Sequence, residues 1–268
     1  MKDLFDQSLI HLNEETHVYT VKEAPNLTFE SVTTWIKSFF NPFEKEKIAR
    51  KCAQSSSGKY ASYNTVEEVL AQWTAIADRG TQVHLTLEDF CEYWNKGKID
   101  QFPEPEDPKA YNGYCWLKAN LEPHFKLYPE MKVYSTDLQL SGTIDLLIHE
   151  TQKDSWIMAD WKTNSTISKS SWGNKKGVHY ATRFLDDCNY LHYSLQMSVY
   201  QWILEKEYGF ENAIEDRILL HLRPKQTRKF PQGVKEFHTP YLNYNVQKMV
   251  KARRERKANK ELFKPKLF

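Results

Sequence analysis

Two aspartates and a lysine carry the chemistry of residues 141–164, SGTIDLLIHETQKDSWIMADWKTN. Thr143 to His149 and Trp156 to Lys162 read as apolar strands, joined by a polar turn from Glu150 to Ser155. A turn centred between Gln152 and Lys153 sets Asp145 opposite Asp160 in an antiparallel pair. Lys162, two residues further on, falls on the same face. Opposed Cβ atoms lie roughly 4.5–5.5 Å apart, so two ionised carboxylates there repel one another. Leu147 and Met158 share their face and make ionisation costlier still. A divalent cation between the two acids resolves the conflict, and hard oxygens without a thiolate suit Mg²⁺ or Mn²⁺. Lys162 adds an amine that can orient a water or steady the charge growing on a phosphate. The plainer alternative is a surface hairpin in which a lysine bridges two acids. Against it, the acids interrupt apolar strands, where charges are disfavoured unless paired. Gly142 opens the first strand and permits a close approach to its backbone.

Two further spacings place polar pairs on single helix faces. His84 and Glu88, in GTQVHLTLE, stand four residues apart. Gln196 and Tyr200, in QMSVY, do the same beside an apolar stripe of Leu191, Leu195, Val199, Trp202 and Ile203. Taken singly, each pair also fits an ordinary helix surface or flank.

The order H-x-x-x-E, then D, then D-x-K, then Q-x-x-x-Y resembles the RecB-like exonuclease branch of the PD-(D/E)XK nuclease superfamily. It is similar to phage and mitochondrial genome maintenance exonucleases over roughly residues 28–225. SVTTWIKSFF…IARKCA near the start adds a softer, mostly hydrophobic match. The resemblance implies a restriction-endonuclease-like core and a Mg²⁺- or Mn²⁺-dependent hydrolysis of phosphodiester bonds. It implies a catalytic set of Asp145, Asp160, Lys162, His84, Glu88, Gln196 and Tyr200. The expected metal ligands are Asp145, Asp160, the backbone carbonyl of Trp161, His84 and Glu88. The implied activity is exonuclease action at DNA ends, with single strands preferred, in replication, recombination or repair. A recombination or single-strand-binding protein is a further expected partner. A structure- or sequence-specific endonuclease of the same superfamily, and an inactive DNA-binding accessory, are the alternatives. Some relatives hold an iron–sulfur cluster on one upstream and three clustered C-terminal cysteines. The cysteines here, at 52, 91, 115 and 188, do not match that spacing, and no cluster is expected.

Basic and aromatic residues interleave in KSSWGNKKGVHYATRF, residues 169–184. Trp172, Lys175, Lys176 and Arg183 could stack bases and track phosphates, or the segment could be a solvated loop. Lys248 to Lys260 holds seven lysines and arginines and one glutamate. It reads either as a phosphate-contacting element or as the solvated face of a terminal helix.

These residues need elements to position them. His17 to Val21 reads as a short strand, and Val32, Ile36, Phe39 and Phe40 fall at helical spacing. Thr65 with Glu68 makes a capping box for a helix to about Asp78. Gly80 breaks that helix or starts the next, which runs to about Trp94. Residues 101–109 are a loop, and 111–126 are partly helical up to Pro123. Lys132 to Leu140 alternates loosely as a strand. Asn189 to Tyr208 is a strong helix and Ile214 to Leu222 a strand. The class is α/β, a mixed sheet flanked by helices, with an N-terminal helical portion. One nuclease domain is expected: helical portion about 1–130, catalytic core about 131–225, basic tail about 241–268.

The net charge of +2 announces no nucleic-acid binder by itself, so local clustering must carry that reading. The four cysteines are widely spaced, which disfavours zinc-finger spacing and a disulfide scaffold and fits a reducing, cytoplasmic setting. A phage-encoded protein in a bacterial host fits the resemblance too. MKDLFDQSLIHLNEE lacks the apolar region of a signal peptide, and no apolar run approaches the roughly 18 residues of a membrane span.

Overall fold

A computed structural model describes residues 2–13, 15–16, 18–224 and 233–262, with the last helix's side chains described through residue 259. A hairpin comes first, β1 (Ile10–Asn13) and β2 (Val18–Val21), then the short strand β3 (Glu30–Ser31). Four helices follow: α1 (Val32–Lys37), α2 (Lys45–Ala53), α3 (Val66–Asn95) and α4 (Pro108–Asn120). Next are β4 (Phe125–Ser135), β5 (Leu140–Glu150) and β6 (Ser155–Lys162), then α5 (Asn189–Glu207), β7 (Ile214–Leu222), β8 (Val234–His238) and α6 (Asn243–Leu262).

Among the described residues six strands form a mixed sheet in the order β3-β5-β6-β7-β8, with β4 on the other edge of β5. β6 and β7 run parallel, linked through α5, while β4, β5 and β6 form antiparallel hairpins. The α/β class with a helix-flanked mixed sheet is therefore as expected. One face of the sheet packs Leu147, Met158, Leu219 and Phe237 against α1, α5 and α6. The other packs Leu146, Ala159, Trp161 and Leu220 against α3 and α4. The alternation of faces along each strand accounts for this division.

β5 is shared unequally. On one edge β4 pairs with it from Leu140 to Glu150. On the other, β3 pairs at Leu140 and Ser141, and β6 pairs from Leu146 to Glu150. Residues 142–145 have no register partner on that second edge, so β3 and β6 diverge and leave a fork.

The hairpin register follows the expectation: Leu147 opposes Met158 and Glu150 opposes Ser155 about the predicted turn. The ladder stops at Leu146 and Ala159, one pair short of Asp145 and Asp160. The capping box forms as predicted, with Thr65 accepting from the Glu68 backbone and Glu68 accepting from that of Thr65. Other boundaries move. α3 runs through Gly80 without a break, because the missing side chain seats the helix against Thr163; a Cβ there would lie 2.8 Å from Thr163 Oγ1. The strand expected at Lys132–Leu140 instead begins at Phe125 and gives way to a turn after Ser135, where Gln139 takes a φ of 50°. Among the described residues, three short strands precede the first α-helix, with β1 and β3 unforeseen. His17, the expected first residue of β2, lies outside the described residues. Pro108 starts α4 inside the predicted loop because Asp107 caps it, accepting from Lys109 and Ala110 N–H.

α6 shows what part of the basic run does. Arg253 pairs with Glu30 at 2.6 Å and donates to the Gln139 carbonyl at 2.9 Å. Arg254 pairs with Asp137 at 2.7 Å. These arginines fasten the β4–β5 turn and β3 to the last helix.

Gly142 sits at the fork. A Cβ on it would lie 2.6 Å from Tyr200 Cε1 and 2.7 Å from its hydroxyl. Tyr200 is buried on α5, so the ring cannot swing clear without repacking. Gly142→Ala should destabilise the protein by about 1–3 kcal/mol of overpacking strain, measured as a shift in denaturant midpoint. Adding Tyr200→Leu should return most of that loss.

Candidate active site

Three elements meet at the fork. β5 brings Asp145, β6 brings Asp160 and Lys162, and α3 crosses them with His84. Asp145 has no register partner on either side: the β4 ladder passes from Ile144 to Leu146 and skips it. Its carboxylate fills the opening left by the backbone, and Oδ2 accepts the Trp161 N–H at 2.9 Å. His84 Nδ1 approaches the same oxygen at 3.5 Å. Lys162 Nζ is ion-paired with Asp160 Oδ2 and lies 4.5 Å from the Tyr193 ring of α5.

The charges are expensive where they stand. Burial pushes the Asp160 carboxyl up to about 7 from an ordinary 3.8, and the neighbouring Asp145 charge adds to the rise. Burial also raises Asp145, only partly offset by Lys162 and the Trp161 N–H. Burial works against the charge on Lys162, but Asp160 and Asp145 outweigh it and hold the amine above its usual range. Burial lowers His84 to about 4, with Lys162 adding to the fall. His84 is then neutral near pH 7 and able to offer a ring nitrogen to a cation.

A third acid, not foreseen, joins them. Glu130 stands on β4 where the ladder skips Asp145, with a φ of 47°. His84, Glu130 and Asp145 each offer a ligand atom, all within 4.8 Å of one another. The only signal in the sequence was Pro129, since a proline inside a strand marks a disturbed ladder. The strand had been expected to begin only at Lys132, which left Glu130 outside it.

A cleft of about 700 Å³ opens over these groups. Its walls come from the first hairpin (Leu12, Tyr19), from α3 (Gly80, His84, Glu88) and from α5 (Tyr193, Gln196, Tyr200), and its floor from Asp145, Trp161 and Lys162. The structure thus gathers six of the seven predicted catalytic side chains around one cleft, with Asp160 buried beneath it. Glu88 lies one turn beyond His84, where the cleft meets a smaller hollow of about 340 Å³. It does not belong to the group that converges on Asp145; Glu130 takes that place. Gln196 donates to the Tyr200 hydroxyl at 3.3 Å. The four residues expected on the interleaved segment stand outside the cleft. Trp172 is 87% exposed with Lys175 5.8 Å from its ring, Arg183 lies 4.8 Å from the Phe184 ring, and Lys176 is paired with Asp186.

The family model of the PD-(D/E)XK nuclease superfamily matches residues 61–264, about three quarters of the sequence. The chain belongs to the PD-(D/E)XK nuclease superfamily. That membership makes it a metal-dependent nuclease by kind, with a nucleic acid as its substrate. No curated protein matches the chain. Among the described residues, no helix is long and apolar enough to cross a membrane.

The donor set fits a divalent cation: carboxylate oxygens and a neutral imidazole, packed so that their own charges oppose folding. The folded Asp160 carboxyl holds its proton more tightly than the unfolded one. The cost of ionising it therefore builds as pH rises from about 4 towards 7, and is fully present above that. A cation must displace that proton at low pH and need not at high pH. Added Mn²⁺ should raise the melting temperature more near pH 8 than near pH 5.5. Glu130→Gln should shrink the gain at pH 8. Equal gains at both pH values would disprove this linkage.

Proposed function

We propose that the protein is a metal-dependent deoxyribonuclease of the RecB-like branch, acting as an exonuclease on DNA ends and preferring single strands. The observation that supports it best is the convergence of Asp145, Asp160 and Lys162 at the fork, with His84 and Glu130 closing the group from α3 and β4. In this reading Asp145, Asp160, Glu130 and His84 hold one or two Mg²⁺ or Mn²⁺ ions, with the Trp161 carbonyl as a further ligand. Glu88, at the outer turn of α3, supports the site. A bound divalent cation supplies Lewis acidity and neutralises charge at the scissile phosphate.

The chain's own groups do the rest. Lys162, held by Asp160, orients a water against the phosphorus and faces the charge that develops there. Asp160, buried beneath the cleft, is kept from competing water. Tyr200 and Gln196 fix the α5 wall, where the substrate backbone must pass. The walls on three elements favour a single strand over a duplex, since a frayed end enters a walled cleft more readily. The exposed Trp172 ring, outside the cleft, offers a stacking surface for an unpaired base. Roles in replication, recombination or repair, in company with a recombination or single-strand-binding protein, suit an enzyme of DNA ends.

Asp160→Ala and Lys162→Ala should each abolish cleavage of end-labelled DNA in Mg²⁺ while a cooperative melt is retained. Turnover at the wild-type rate in either would remove the assignment. Linear DNA should be degraded and circular single strands spared; cut circles would identify an endonuclease instead. No cleavage by the wild type in any metal would point to an inactive DNA-binding relative. Trp172→Ala should weaken single-strand binding in Ca²⁺ by about 1–3 kcal/mol in a gel shift, the usual value of one base–aromatic stack. Unchanged affinity would exclude stacking there.

A further inference from the structure

The sheet register extends the reaction centre into a row of basic groups. Lys162 on β6 is the partner of His221 on β7, and His221 is the partner of Lys235 on β8. Residues in register on neighbouring strands project from the same face, roughly 4.8 Å apart. The row therefore starts at the amine that pairs with Asp160 and runs outward over three strands. His221 is buried and bonded to the Asn164 carbonyl at 2.6 Å, and Asn164 lines the cleft. The row and the cleft are continuous.

A fourth group joins from the segment after β6. Lys169 lies 4.8 Å from the Tyr190 ring and 5.7 Å from the Phe237 ring, while Lys235 lies 4.4 Å from that same Phe237 ring. Both rings are buried, so they are not stacking surfaces. They are the bed on which the two ammonium groups themselves sit, as cation–π contacts. Among the described residues neither ammonium has a carboxylate within ion-pair reach. This separates them from Arg253 and Arg254, which acids and carbonyls already occupy.

We propose that Lys235 and Lys169 form a phosphate track, holding the substrate backbone next to the scissile link as it leaves the cleft over the ends of β6, β7 and β8. The inference rests on the nuclease reading above. Lys162 and Lys235 are two strand spacings apart, roughly 10 Å, a span that phosphates of one strand can bridge. A cation pinned on a ring loses less freedom on binding than one on a free stem, which favours these two lysines over the scattered surface ones.

The test is the salt dependence of binding. A short labelled single-stranded oligonucleotide is titrated in Ca²⁺ across a salt series with the wild type, Lys235→Gln, Lys169→Gln and Lys235→Arg. Each glutamine variant should bind several-fold more weakly, with a slope of log K against log salt shallower by about 0.7, the value of one phosphate contact on a single strand. Lys235→Arg should keep the wild-type slope. Unchanged slopes in both glutamine variants would overturn the track. So would an equal loss in Lys235→Arg, which would mean that shape rather than charge matters there. Lys169 is exposed and off the sheet, so its variant tests the track even if Lys235→Gln does not fold. Cleavage of the same oligonucleotide by the wild type in Mn²⁺ is run alongside. Absence of cleavage sinks the nuclease reading, whereas cleavage with unchanged slopes sinks only the track.

Discussion

Asp145 is the point at which the sheet stops satisfying its own backbone, and the rest of the site is arranged around that break. On one side the β4 ladder skips it; on the other the β6 ladder ends a residue earlier. Polar backbone groups freed inside a protein must find partners. Here the Trp161 N–H takes the Asp145 carboxylate, so a side chain substitutes for the missing rung. The substitution fixes the carboxylate's position at the floor of the cleft.

Holding it there has an electrostatic cost that the neighbours reveal. Asp160 is forced towards its neutral form by burial and by Asp145. His84 is kept neutral by burial and by Lys162. One amine serves two acids, with a third acid, Glu130, beside them. Asp145 and Asp160 outnumber the amine they share, and a divalent cation would add positive charge there. Two glycines make the geometry possible: Gly80 lets α3 settle on Thr163 and brings His84 over the fork, and Gly142 lets Tyr200 lie against β5. A methyl at either place would push a wall of the cleft away from its floor.

Much of this was legible in the sequence, for reasons that are local. A hairpin with a short polar turn fixes its own register, so the relation of Asp145, Asp160 and Lys162 could be read from spacing. Helical periodicity put His84 with Glu88 and Gln196 with Tyr200. What escaped depended on contacts distant in sequence. Glu130 enters through a residue of left-handed backbone inside a strand that propensity placed too late. Gly80 looked like a helix breaker because Thr163, which explains it, is 83 positions away. β1 and β3 are too short to announce themselves, and β3 exists only because the edge of β5 is open to receive it. The α3 wall, which the sequence reading placed in the N-terminal helical portion, packs on the same sheet as the catalytic hairpin.

Charge density is where local reading fails most instructively. The run from Lys248 to Lys260 is the densest basic cluster in the sequence, and Arg253 and Arg254 within it are consumed by Glu30, Asp137 and a carbonyl of the β4–β5 turn. Lys235 belongs to no such run, and Lys169 only heads the looser interleaved segment of residues 169–184. They are 66 positions apart, and each alone would pass for a solvated surface lysine. Their convergence on Phe237 follows from the parallel crossover through α5, which returns the chain to lie beside β6 with Lys162 and His221 in register. An acid beside a lysine neutralises it for outside partners, whereas a ring beneath it fixes its position and leaves the charge available. On that distinction, the basic groups free to meet a polyanion are those that the fold brings together.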